Sequence, residues 1–266
     1  MSIELLGRDI PLYGLFFWLG IFFAALAAIF VCRRLGLPLF DLACSAVYTV
    51  IAGIVGAKLL YIAVAFQDIV AFAKENEIGF IKLVPMLIKG GFVFYGGLIG
   101  GFFGLAIYTI KFKMDPCAMF QVYAVVLPLG HAFGRVGCFL GGCCYGVAYN
   151  GFLAYTYEIA TGAAPVGVPL LPIQLIEALL LLLLFGVQVI LLLAYPTKKT
   201  LPICNYAFSY SIIRFVLEFF RGDKERGMLL RFSTSQWIST AVFLVTFAYF
   251  VRKKKGENIA ERKSIP

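Results

Sequence analysis

The sequence predicts an all-α polytopic membrane protein of seven transmembrane helices with a small extracytoplasmic arm or cap. Three observations lead there. Of the 266 residues, 62% are apolar or aromatic and 14% charged, and the mean hydropathy is +0.93, whereas a soluble domain carries about 25% charged residues. Uncharged runs of roughly 18 or more residues, long enough to cross a ~30 Å hydrocarbon core, recur along the chain. Short basic clusters sit just beyond those runs, as cytoplasmic anchors do where they meet anionic membrane lipid.

The expected spans are 12–32, 43–65, 91–110, 117–141, 172–195, 201–219 and 232–251. The first is followed by Arg33 and Arg34 and lacks an obvious small-residue cleavage site, so it reads as a span and not as a removable signal. The second is apolar but for Lys58. The third carries Gly96-Gly97 and Gly100-Gly101, with Gly90-Gly91 at its start; small residues at helical spacing allow close helix approach. The fourth places His131, Arg135 and Cys138 on one face at i, i+4, i+7. The fifth opens on Gln174 and Glu177. The sixth stacks Arg214, Glu218 and Arg221 at helical spacing. The seventh ends on the basic run Arg252 to Lys255.

Placing the N-terminus outside puts Arg33, Arg34, Lys111, Lys113, Lys198, Lys199 and the C-terminal cluster on the cytoplasmic side. The outer side then receives Arg8, Lys74, Lys82, Lys89, Arg221, Lys224, Arg226 and Arg231, interleaved with Asp68, Glu75, Glu77, Asp223 and Glu225. The orientation follows from the nearly pure basic clusters beside span ends. One helical bundle uses up the length, so residues 1–266 are expected to form a single domain, with outer segments 66–90 and 142–171 and a basic tail, 252–266, that is expected to fray. The net charge of +9 is thereby explained by topology, with no nucleic-acid partner.

Chemistry is sought among polar residues that a bilayer excludes. Lys58, Arg135 and Arg214 each interrupt an apolar span, at ~2.5–3.5 kcal/mol for a central cation. Internal ion pairing accounts for part of the set, but Lys58, Arg135, Arg214 and Arg221 outnumber Glu177 and Glu218. That excess suits an anionic ligand, and the anion at hand is a lipid phosphate. The densest segment is HAFGRVGCFLGGCCYG, residues 131–146, whose glycines end the helix in an irregular turn where backbone N–H groups can meet an oxyanion. The seven cysteines, Cys32, Cys44, Cys117, Cys138, Cys143, Cys144 and Cys204, form no zinc spacing, CxxC pairs are absent, and His131 is the only histidine. No metal and no cofactor is expected, and the cysteines read first as packing residues.

These motifs resemble the prolipoprotein diacylglyceryl transferase family over nearly the whole chain. The family opening YGL matches Tyr13-Gly14-Leu15. GGxxFHGGLIG appears as GGFVFYGGLIG (90–100), GRxGNFxNGExxG as GRVGCFLGGCCYG (134–146), HPxQLYE as LPIQLIE (171–177) and RFxxEFFR as RFVLEFFR (214–221). The resemblance implies a bacterial inner-membrane enzyme that moves the diacylglyceryl group of phosphatidylglycerol onto the lipobox cysteine of a preprolipoprotein. A thioether forms and glycerol phosphate is released. It implies that Arg135 and Arg214 hold the phosphate or glycerol oxygens, that Glu218 orients Arg214 and Arg221, and that Tyr13 contacts the head group. Gln174, Glu177 and Gly146 fall in substrate-binding motifs.

The departures lie in the same motifs. The family histidine is Tyr95, the signature asparagines are Cys138 and Gly141, the signature glutamate is Cys143, and the second-span arginine is Lys58, which keeps the charge without the planar fork. Tyrosine is a poor base near neutrality, which leaves His131, one turn from Arg135, as the conventional candidate beside Tyr95. Other readings stay open: a divergent paralogue with another acceptor, a lipid-linked intermediate on Cys138, Cys143 or Cys144, or a non-catalytic phospholipid-binding or transport protein.

Overall fold

A computed structural model describes residues 2–5, 8–75, 79, 85, 87–88, 90–223 and 228–264. Of the charges used to orient the chain, Glu77, Lys82, Lys89, Lys224, Glu225 and Arg226 lie outside the described residues. Seven helices occur among those residues: α1 Leu12–Arg34, α2 Leu39–Glu75, α3 Phe94–Lys111, α4 Pro116–Leu140, α5 Ile173–Ala194, α6 Thr200–Glu218 and α7 Thr234–Ser264. Five are long and apolar enough to cross a membrane, namely α1, α2, α4, α5 and α7 over Thr234–Arg252. Each of the seven expected spans coincides with one helix, but α3 and α6 fall outside those five. Two boundaries differ from expectation. Helix α2 continues ten residues beyond 65, into the expected outer segment, and α7 runs to Ser264 where a frayed tail was expected. Both extensions are rich in Ala, Glu and Lys, which are good helix formers.

The helix ends follow from the sequence. Asp115 accepts the Ala118 amide at 3.2 Å and precedes Pro116, so α4 begins with an N-cap and a proline at the first helical position. Ser233 and Gln236 close a reciprocal capping box on α7: Gln236 N donates to Ser233 Oγ at 3.2 Å and Ser233 N to Gln236 Oε1 at 2.9 Å. Among the described residues three short antiparallel strand pairs occur: β1 Ser2–Leu5 with β2 Arg8–Pro11, β3 Tyr155–Thr156 with β4 Pro169–Leu170, and β5 Met228–Leu229 with β6 Phe232–Ser233.

The chain forms two compact units, one of Met1–Val31 with Gln121–Pro266 and the other Cys32–Phe120. In the second unit α2 and α3 pack backbone to backbone. A Cβ on Gly56, Gly96 or Gly100 would run into the opposing main chain, so the glycine pairs set the approach of these two helices. At the start of α3 the chain returns to α2, where Val93 N donates to Ala57 O at 3.1 Å.

In the first unit α1 packs on α4, with Phe23 stacked on Phe133 at 5.2 Å and Gly20 against Phe133. Pro128 lies inside α4 and has no N–H, so the Ala124 carbonyl one turn earlier loses its helical donor. Gln188 of α5 replaces it. Its Nε2 donates to Ala124 O at 3.1 Å and to Pro202 O of α6 at 2.8 Å, while Asn205 Nδ2 donates to its Oε1 at 3.2 Å. Gln188 is fully buried, and this one amide ties three helices, as the absence of water in hydrocarbon demands. Gln188→Leu should therefore lower the melting temperature in detergent, by the equivalent of about 1–3 kcal/mol per orphaned group. An unchanged melting temperature would show that the junction adds nothing.

Candidate functional site

The first unit gathers the polar side chains of four helices. Glu177, one turn into α5, is 2% exposed and receives three groups. Arg135 Nε of α4 lies 3.0 Å from Oε2, the Tyr210 hydroxyl of α6 donates to Oε1 at 3.2 Å, and His131 Nε2 lies 3.9 Å from Oε1. The His131 ring stands edge-on to Tyr210 at 5.3 Å between centroids. Two residues of the expected α4 face, His131 and Arg135, turn towards one carboxylate, while the third, Cys138, groups with Cys143 and Cys144.

A second cluster continues from α6. Arg214 Nη2 pairs with Glu218 Oε2 at 2.6 Å and donates to Ser235 Oγ of α7 at 3.0 Å. Its Nη1 is buried and has no hydrogen-bond partner among the described residues. Arg221 lies beyond the end of α6, which stops at Glu218, so the expected three-residue helical stack is corrected to two residues and a turn. Arg221 Nη1 still lies 3.9 Å from Glu218 Oε2, and its other edge makes a fork to Asp223 at 3.0 and 2.6 Å. Asp223 was missed as a partner, although a carboxylate two residues from an arginine at a helix end is a local signal. Tyr210, four residues before Arg214, was also missed.

The excess of buried cations inferred from sequence is not reproduced here. In this unit Arg135, Arg214 and Arg221 face Glu177, Glu218 and Asp223. Lys58 and Tyr95 belong to the second unit. Lys58 Nζ donates to Gly90 O at 2.8 Å and Gly91 O at 3.3 Å, over the rings of Tyr61 and Phe92. Tyr95 occupies the first turn of α3, half-buried.

The irregular turn after α4 is a Schellman motif. Gly142 N donates to Phe139 O at 3.2 Å and Cys143 N to Cys138 O at 3.0 Å, with Gly142 left-handed at φ 63. This motif brings the residue after the left-handed glycine over the third-last helical residue, here Cys143 over Cys138. Cys144, itself at φ 55, completes the group. The three sulfurs lie within 4.8 Å of one another. Hydrogen bonds from the Cys138 and Cys143 thiols hold the Cys144 thiol well below its ordinary pKa, and Arg221 and Arg135 add to the effect.

The neighbouring backbone fixes this turn. Gln174 Nε2 donates to Cys143 O at 2.8 Å, Ala163 N and Ala164 N donate to Gly142 O at 3.1 and 2.9 Å, and the Tyr157 hydroxyl donates to Phe139 O at 2.7 Å. Burial first, then the neighbouring Tyr155, push the Tyr157 phenol up to about 12. Gly146 pairs with Arg221 in an antiparallel bridge, so the cysteine loop and the arginine after α6 are joined through main chain. Tyr13, at the start of α1, packs on Gly137 and Gly141. Sequence spacing gave no hint of the thiol cluster, because i, i+5, i+6 is not a helical face.

A profile of the family described as prolipoprotein diacylglyceryl transferase matches residues 1–252. The phosphatidylglycerol–prolipoprotein diacylglyceryl transferase 2 of Clostridium perfringens (strain 13 / Type A) is 33% identical over 260 residues, covering 95% of each chain. The phosphatidylglycerol–prolipoprotein diacylglyceryl transferase of Clostridium tetani (strain Massachusetts / E88) is 32% identical, covering 93% of this chain and 94% of its own. That of Clostridioides difficile (strain 630) is 28% identical over 98% of both.

The turn can be tested directly. Gly142→Ala puts an L-residue into the left-handed region, at about 1–2 kcal/mol, and places a methyl against the Thr161 carbonyl. A trivalent arsenical, which bridges close thiols, should then react several-fold more slowly than with the wild type. An equal rate would mean that the thiols do not depend on this turn.

Proposed function

The chain belongs to the prolipoprotein diacylglyceryl transferase family, and from that premise we propose that it transfers the diacylglyceryl group of phosphatidylglycerol to the lipobox cysteine of a prolipoprotein. A C–S bond forms, the C–O bond to phosphate breaks, and glycerol phosphate leaves. The observation that carries this reading is the buried Arg214 Nη1, which has no hydrogen-bond partner among the described residues. A buried unsatisfied donor costs about 1–3 kcal/mol, more when charged, and an anionic oxygen is the partner it lacks.

The roles follow from this geometry. Arg214, held by Glu218 and Ser235, offers its open nitrogen to the phosphate, whose charge grows as the ester bond breaks. A positioned guanidinium in a water-poor site stabilises that charge without reorganising. Arg135, fixed by Glu177, serves the same head group, and Arg221 with Asp223 closes the cluster. His131, beside Glu177, is the destination for the acceptor thiol's proton. Tyr13, Gln174 and Gly146 shape the wall beside the cysteine turn. For Lys58 and Tyr95 the assignment rests on the aligned motifs alone. The setting is the bacterial cytoplasmic membrane, with seven spans including α3 and α6, the N-terminus outside and the C-terminus in the cytoplasm.

Purified protein supplied with phosphatidylglycerol and a lipobox peptide should release glycerol phosphate, and the peptide should gain the mass of a diacylglyceryl group. Lipid binding without release would favour a carrier instead. Arg135→Ala and Arg214→Ala should each lose ~10²–10³ in rate, and Arg135→Lys should recover only part, because a point charge does not replace a planar fork. Near-wild-type turnover in Arg214→Ala would reduce this cluster to a structural role. In a cysteine-depleted background, an impermeant thiol reagent added outside should label Asn150→Cys and spare Lys255→Cys. The reverse pattern would invert the proposed topology.

A further inference from the structure

The Schellman turn brings together three thiols for which the phosphate chemistry has no use. Cys138, Cys143 and Cys144 offer one sulfur each, all within 4.8 Å of one another. In a tetrahedral zinc site with Zn–S bonds of ~2.3 Å, sulfurs stand ~3.8 Å apart. The observed group therefore needs to contract by no more than about 1 Å to reach metal-binding distances. The backbone that would set it is already fixed, by the Gln174 bond to Cys143 O and the two amides on Gly142 O. Cys144 reaches the cluster by adopting φ 55, a conformation that L-residues other than Asn and Asp rarely adopt.

We propose that Cys138, Cys143 and Cys144 bind one zinc ion whose fourth position receives the acceptor cysteine of the prolipoprotein. This rests on the transferase reading and adds to it a metal site and the means by which the acceptor becomes a nucleophile. The donor set suits the ion: thiolates select soft or borderline metals, and three protein ligands with one open position is the arrangement of catalytic zinc. Three thiolates and Zn²⁺ leave one net negative charge. Arg135 and Arg221 are the cations that act on the Cys144 sulfur; each is also paired with a carboxylate, so they lessen that charge without cancelling it.

The chemistry balances without an oxidant. The acceptor thiol loses its proton as its sulfur is coordinated, since a thiol on such an ion is deprotonated outright. The proton passes to His131 or to water. The bound sulfur then attacks the glyceryl carbon that carries the phosphate ester. The C–S bond forms while the C–O bond breaks, its electron pair leaving on glycerol phosphate beside the arginines. The product thioether is neutral and a weaker ligand than a thiolate, so it departs. This step supplies what Tyr95 and His131 do not supply as bases alone, a sulfur already ionised in an apolar site.

The test uses the intact protein in detergent with phosphatidylglycerol. Elemental analysis should find about one zinc per chain, and Cys138→Ser, Cys143→Ser or Cys144→Ser should lose it. The cobalt-substituted protein should show thiolate charge-transfer and tetrahedral d–d bands. Those bands should shift with a lipobox peptide and stay fixed with the same peptide bearing serine for cysteine. Chelation should remove turnover and added zinc restore it. Wild-type protein that turns over without metal, before and after chelation, would overturn the zinc site and leave the transferase reading intact. Bands that ignore the peptide would overturn the acceptor role. A stable diacylglyceryl adduct on one of the three cysteines, or a disulfide among them in active enzyme, would overturn the proposal as well. Metal and peptide binding without glycerol phosphate release would bring down the transferase reading, and the acceptor role with it.

Discussion

The arrangement of the site depends on one buried carboxylate. Glu177 is almost without contact with solvent, and an isolated carboxylate there would be prohibitively costly. Arg135 from α4 and Tyr210 from α6 compensate it, with His131 close by. Three helices are thereby held in one rotational setting, and the sulfur-bearing end of α4 inherits that setting. Removing one partner of such a pair costs more than the pair itself contributes, because the remaining charge stays buried. The pairing thus specifies how α4, α5 and α6 face each other more than it adds to stability.

Much of this was legible in the residues. The apolar runs located all seven helices, and the i, i+4 spacing put His131 and Arg135 on a common face. Arg214 and Glu218 were readable as a pair for the same reason. What remained hidden depended on chain reversal. Asp223 and Arg221 meet only because α6 stops at Glu218, and the cysteines converge only because a glycine turns left-handed after Leu140. Periodicity describes elements while they continue and says little about where a turn aims the next side chain. The charge count erred similarly: it left Asp223 in a loop and added Lys58, whose ammonium is occupied by main-chain carbonyls and aromatic faces.

Glycine has two distinct uses here. Between α2 and α3 the missing side chains let two main chains touch, which sets a helix–helix distance. At Gly142 the missing side chain permits a backbone sign change, which sets a direction. Only the second is tied to the altered signature, where cysteines stand at positions that carry asparagine and glutamate in the motif this chain resembles. In this chain the left-handed turn presents sulfur where that motif has oxygen and nitrogen groups.

The Gln188 junction has a consequence for biogenesis. Chains emerge from the ribosome N-terminus first and fold in that order. Helix α4 is made with the Ala124 carbonyl already stripped of its donor by Pro128, sixty residues before Gln188 is synthesised. That amide in turn finds its second acceptor only when Pro202 has followed. Between those moments the nascent chain holds an unmet polar group that lipid cannot serve. The fourth helix therefore gains a donor for that carbonyl only when α5 has been made and has docked beside it, which couples the settling of α4 to the arrival of the helix that follows.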